Sequence, residues 1–208
     1  MKNFKLHLFL VCLLGISFSN YSQDSLEYTE NDLEDIIDYD AFHGHSNQLD
    51  NIDTIPGFES KTNKLKIYGT IYKSDGVTPA KDVILYIEQA DENGNFDLRK
   101  ENDKRYIHNR GWIKTDNDGN YTFYTYIPGN DRRYNQMQQL FPIIKEPSKP
   151  EYAIGTFLFD EDPLLSKLCR KRLAKKGDIT RILKLKKEDD LFVTKKDIKL
   201  REGLAMAD

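Results

Sequence analysis

Few side chains here are equipped for chemistry, and their spacing limits what they could do. His43-Gly44-His45 sets two imidazoles at i and i+2, compatible with chelation, yet spacing ties no third ligand to them. A chance pair in a polar loop is the simpler reading. His108 stands apart from that pair. Cys169 has no His or orienting group tied to it by a nucleophile motif, so it reads as a half-buried residue on an amphipathic helix. The remaining candidate is electrostatic. Residues 167–187 carry ten Lys and Arg against Asp178 alone. That is either a solvated helix face with a basic strand after it or a docking surface for an anionic partner.

The elements that must position these groups are mostly strands. Residues 64–72 alternate, with Leu65, Ile67, Gly69 and Ile71 on one side and Lys64, Lys66, Tyr68, Thr70 and Tyr72 on the other. Residues 83–87 form a continuous apolar run. Residues 111–115 and 121–127 flank Asp116-Asn117-Asp118-Gly119-Asn120, a hairpin signal because Asp, Asn and Gly tolerate positive φ. Further strands are expected at 140–144, 152–159, 179–185, 191–193 and 198–200. Turn signals at this spacing mean an all-β sandwich. One helix interrupts it. Asp160 or Asp162 can cap it, Pro163 suits its first position and Gly177 its exit. Leu164, Leu165, Leu168 and Leu173 would form its inward stripe.

Composition agrees with one domain of modest size. The chain has 208 residues, 38% of them hydrophobic and 31% charged. A mean hydropathy of -0.67 excludes a polytopic membrane protein. The net charge of -3 conceals an asymmetry. Residues 20–60 hold eleven carboxylates and no Lys or Arg, so the body that follows is net basic. Outside 167–187 that excess is spread thinly, and no nucleic-acid partner is implied. Lys2 and Lys5, the apolar run 6–16 and Ser17-Phe18-Ser19 follow the order of a secretory signal peptide. The run is about half the ~20 residues of a spanning helix, so no transmembrane anchor is expected. The expected organisation is thus a signal peptide at 1–19, an acidic arm at 20–60 and a β-sandwich at 61–208. The protein would be exported, periplasmic or secreted, with its arm held to the basic stretch by long-range attraction.

Several strings resemble the intradiol ring-cleavage dioxygenases, the catechol and protocatechuate type, in their short secreted bacterial branch. The first is Lys64-Leu-Lys-Ile-Tyr-Gly-Thr-Ile-Tyr followed by Asp75-Gly-Val-Thr-Pro-Ala-Lys-Asp-Val-Ile-Leu-Tyr-Ile. Arg110-Gly-Trp-Ile-Lys-Thr-Asp, Gly119-Asn-Tyr-Thr-Phe-Tyr-Thr, Lys145-Glu-Pro-Ser-Lys-Pro-Glu-Tyr and Phe159-Asp-Glu-Asp-Pro-Leu-Leu continue it in order. The resemblance runs from about residue 53 to 200. It implies a prealbumin-like, intradiol dioxygenase-like β-sandwich with one short helix in its C-terminal half.

The same resemblance implies a ferric ion held by two tyrosinates and two histidines, a donor set suited to a hard trivalent ion. Its four ligand positions fall on Phe96, Asp131, Gln139 and Phe141, all changed. Phe offers no lone pair, Gln is a poor replacement for imidazole, and one carboxylate does not hold ferric iron against hydrolysis. The expectation is therefore a catalytically degenerate member with no cofactor and a binding or structural role, toward a small aromatic ligand or an anionic cell-envelope partner. Two alternatives stand beside it. One is an active iron(III) dioxygenase with displaced ligands drawn from Tyr106, His108, Tyr134, His43 and His45. The other is a prealbumin-like accessory binding domain.

Overall fold

The computed structural model describes Ala41, Gly44 and residues 48–202. The signal-peptide segment, most of the acidic segment, His43 and His45 lie outside the described residues. Two mixed sheets face each other. The first runs in the order β1 (Ile52–Thr54), β7 (Asn120–Tyr126), β2 (Lys64–Tyr72), β13 (Leu191–Lys195) and β12 (Lys186–Glu188), with β14 (Ile198–Lys199) also on β2. The second runs β11 (Ile182–Leu183), β10 (Phe157–Phe159), β8 (Gln139–Lys145), β3 (Ile84–Gln89) and β6 (Arg110–Lys114), with β9 (Tyr152–Ala153) on β8. A separate hairpin joins β4 (Leu98–Glu101) to β5 (Lys104–Ile107).

Alternation explains the sandwich. Leu65, Ile67 and Ile71 of β2 and Tyr121 and Phe123 of β7 point inward from one sheet. Leu85, Ile87, Ile113, Leu140, Ile144, Phe157 and Phe159 meet them from the other. Burying one such side chain contributes about 1.5–3 kcal/mol, so this layer dominates the stability. The partners of these residues on the second sheet, one position along each strand, point to the sheet's outer face. That face carries the candidate site.

The structure corrects the sequence reading in four places. Residues 111–115 and 121–127 do not form a hairpin: β6 belongs to one sheet and β7 to the other. The Asp116 carboxylate accepts the amides of Asp118 and Asn120, which builds a turn that passes the chain between sheets. The acidic segment gives way to the sandwich before residue 61, because β1 pairs in parallel with β7 from Ile52 to Thr54. The run 152–159 splits into β9 and β10, which contact different registers of β8.

The helix is the fourth. It spans only Lys167–Lys175 (α1), capped by the Ser166 hydroxyl accepting the Cys169 amide at 3.2 Å. Asp162 has another task, since its carboxylate accepts the Gln138 amide at 2.7 Å and the Leu164 amide at 3.0 Å. Leu165 is buried ahead of the helix, but Leu168 is 57% exposed and no residue of α1 is buried. The expected inward stripe is therefore absent from α1, and Cys169 is half-buried as expected.

Candidate functional site

The outer face of the second sheet is assembled by register. Glu88 of β3 lies opposite Arg110 of β6 and opposite Phe141 of β8, so these three form one row across the sheet. Tyr86, two residues earlier, lies opposite Trp112 and Ile143 in the next row. Cross-strand neighbours on one face are close enough to interact directly. The Tyr86 and Trp112 rings do so with centroids 5.6 Å apart.

Arg110 is the centre of a polar cluster in this layer. It is only 7% exposed. Its guanidinium stacks 3.9 Å from the Tyr106 ring centroid and 4.6 Å from that of Trp112. Tyr106 comes from β5 of the separate hairpin. The Tyr86 hydroxyl donates to the Glu88 carboxyl. Burial raises Glu88 to about 8 despite the Arg110 charge, so this carboxyl is largely protonated at neutral pH. Desolvation pulls Arg110 downward. His108 is also lowered, by burial and then by the nearby Arg99.

At the other end of the row, the Phe96 and Phe141 rings meet edge to face with centroids 5.7 Å apart. Phe96 arrives on the loop after β3, where the Asp91 carboxylate accepts the amides of Asn93 and Asn95. Gln139 lies two residues before Phe141 on the same face of β8. Asp131 lies just beyond. Its amide packs against Gly94, where a Cβ would stand 3.3 Å from it, and its carboxylate accepts the Arg133 amide at 2.8 Å. A loop-spanning bond from the Gln136 side chain to the Gly94 carbonyl, 3.1 Å, ties the two loops.

The two aromatic positions therefore touch, Gln139 shares their strand face, and Asp131 belongs to the adjoining loop. This donor set does not fit a ferric ion. Neither ring has a lone pair, Gln139 brings one neutral amide, and the Asp131 carboxylate is already committed to its own turn. The substitute ligands are scattered among the described residues. Tyr106 is stacked on Arg110, the His108 amide pairs with the Asp97 carbonyl at 2.8 Å, and Tyr134 is 73% exposed on the 131–136 loop. No group of three or more His, Cys, Asp or Glu side chains suited to a metal ion occurs among the described residues.

Sequence reasoning missed Tyr86, Glu88, Arg110 and Trp112 as a cluster. The signal was present in the period of two: Tyr86 and Glu88 share one face of β3, as Arg110 and Trp112 share one face of β6. It was hidden because the apolar run at 83–87 reads as buried on both faces.

This two-sheet architecture is the intradiol ring-cleavage dioxygenase fold. The dioxygenase domain of a dioxygenase and carbohydrate-binding protein fusion from Streptomyces sp. SirexAA-E superposes with a TM-score of 0.57 at 18% identity, covering 77% of this chain and 96% of that one. An intradiol ring-cleavage dioxygenase from Tetranychus urticae gives 0.55 at 16% identity, over 76% and 89% of the two chains. A 3-chlorocatechol 1,2-dioxygenase from Rhodococcus opacus 1CP gives 0.53 at 18%, over 76% and 69%. No protein-family model and no curated protein matches the chain.

Proposed function

We propose that this chain is an exported binding protein built on the dioxygenase sandwich, without ring-cleaving chemistry. The observation that carries the reading is the Phe96–Phe141 contact. Where the resemblance expects a tyrosinate and an imidazole, two hydrocarbon rings pack on one another. An edge-to-face aromatic pair contributes about 0.5–1.5 kcal/mol beyond its buried area, so the site has become part of the packing. Phe96 remains 39% exposed, which leaves an aromatic surface for a small planar ligand beside the Arg110 row. The basic stretch at 167–187 suits an anionic polymer of the cell envelope. Signal-peptide character at 1–19 supports a partner outside the cytoplasm.

Purified protein grown with iron should contain no stoichiometric metal, show no tyrosinate-to-iron absorption band and consume no oxygen with catechol or protocatechuate. Iron at one equivalent per chain together with oxygen uptake would overturn the reading. The reverse experiment sharpens it. Restoring the four positions at once (Phe96→Tyr, Asp131→Tyr, Gln139→His, Phe141→His) should confer iron binding detectable as visible colour, if the fold still holds these positions within one coordination sphere.

A further inference from the structure

The outer face of the first sheet carries a second constellation, also built by register. Lys186 of β12 lies opposite Val193 of β13, Val193 beside Lys66 of β2, Lys66 opposite Tyr124 of β7, and Tyr124 beside Thr54 of β1. These five form one row across the sheet, with Val193 buried between the two lysines. In the next row Lys195, Tyr68, Thr122 and Ile52 follow one another in the same strand order. The alternate residues Leu65, Ile67 and Phe123 belong to the core, so both rows point away from it.

Rings and ammonium groups are interleaved here. Lys66 Nζ lies 5.5 Å from the Tyr68 ring centroid and 5.8 Å from that of Tyr124. Phe58 meets Tyr124 edge to face with centroids 5.8 Å apart, which holds that ring in place. Tyr68 and Tyr124 are diagonal neighbours, a relation that sets residues ~7–8 Å apart, and Tyr68 is 38% exposed. No hydrogen bond engages the Thr54 or Thr122 hydroxyl among the described residues. Lys64 pairs with Glu59 at 3.2 Å and Lys195 with Asp197 at 2.9 Å, while Lys66 and Lys186 have no ion pair among the described residues. Glu188 stands on the same face of β12, two residues from Lys186. Lys186 also belongs to the stretch 167–187, so this face adjoins the densest run of cations in the chain.

We propose that this face binds an acidic polysaccharide, a chain of sugar rings bearing carboxylates; this names the polymer of the 167–187 surface and rests on the reading of that surface as one for polyanions. A sugar ring presents a C–H face that packs on an aromatic ring, and its carboxylate can reach an ammonium group beside it. Tyr68 and Tyr124 flank Lys66, so a repeat of one ring and one carboxylate matches the Tyr–Lys spacing. The Thr54 and Thr122 hydroxyls in the same rows suit sugar hydroxyls. The basic stretch supplies attraction at range, whereas the tyrosines discriminate a chain of rings from a polyphosphate, which has none. A nucleic-acid strand also stacks on exposed aromatic rings, but signal-peptide character at 1–19 favours a partner outside the cytoplasm.

The test compares the affinity of the full chain for polygalacturonate and for long-chain polyphosphate at low salt. Wild type should bind both. Tyr68→Ala should weaken polygalacturonate about fivefold or more, as loss of one stacked ring does elsewhere, and leave polyphosphate within about twofold of wild type. Tyr124→Leu, which keeps an apolar side chain against Phe58, should repeat that selective loss. Lys66→Gln should weaken both polymers. Tyrosine variants that bind polygalacturonate as wild type does would overturn the proposal while the polyanion surface stands. Equal weakening of both polymers would overturn it too, by making the face a surface for charge alone. Oligothymidylate that binds as tightly as polygalacturonate, and loses as much in Tyr68→Ala, would replace the glycan with a nucleic acid. Wild type that binds neither polymer would remove this proposal together with the polyanion reading beneath it.

Discussion

Glu88 shows how one buried carboxyl couples the outer face to pH. Its folded pKa of about 8 lies above the ordinary carboxylate value of 4.5. Between those values the folded state holds a proton that the unfolded state has released, so stability falls as pH rises from about 4.5 to about 8. Glu88→Gln keeps the shape and removes the titration. Its urea midpoint should stay level from pH 5 to 8.5, while the wild-type midpoint declines; parallel curves would show that Glu88 ionises freely in the fold. Such a residue was not legible as a site in the sequence, because a Glu at the end of an apolar strand looks like a solvated terminus. The Phe96 and Phe141 rings, by contrast, come from strings that the sequence itself singles out, and they meet with centroids 5.7 Å apart. Asp131 could be placed on its loop but not assigned its hydrogen bond to Arg133, since loop geometry depends on neighbours that the local sequence does not specify.

Loops and strands, rather than single residues, hold this site in position. Gly129 is a tight joint between these loops: a Cβ there would stand 2.4 Å from the Glu92 carbonyl and 2.5 Å from the Gly94 amide. Both contacts are backbone, so neither loop can yield cheaply. Gly129→Ala should cost about 1–3 kcal/mol in chemical denaturation, in line with overpacking elsewhere, and should alter the near-ultraviolet signal of the Phe96 loop. A change below ~0.5 kcal/mol would mean the two loops are looser than they look. The long alternating strand at 64–72 was readable residue by residue, because one face is buried and a period of two leaves no other register. The β4–β5 hairpin escaped notice because its strands, Leu98–Glu101 and Lys104–Ile107, are polar and carry no buried residue. Helix α1 was readable as a helix but not in extent, since Asp162 is drawn away to bind Gln138 and Ser166 caps instead.

Across the whole molecule, the densest basic stretch is residues 167–187, with ten Lys and Arg against Asp178 alone. Arg170 pairs with Asp160, and Arg181 approaches Asp178 at 3.9 Å. Lys171, Arg172, Lys175, Lys176, Lys184 and Lys186 have no ion pair among the described residues. A surface of this kind attracts polyanions at a range set by the Debye length, about 10 Å at 0.1 M salt. The chain should bind a sulfated or phosphate-rich polymer at 50 mM salt and release it by about 0.5 M. Lys171→Glu/Lys175→Glu should abolish retention with no loss of thermal stability; retention that survives both changes would place the binding surface elsewhere. The parallel seating of β13 and β14 on β2 has a consequence in time as well as in space. Phe192 lies beside Leu65 and Ile198 beside Ile71, so the first long strand waits for residues more than a hundred positions away. Contacts of such separation place folding in the millisecond-to-second range rather than microseconds. A nascent chain can pair β2 with β7 once residue 126 is made, but the other edge of β2 stays unfilled until synthesis has nearly reached its end.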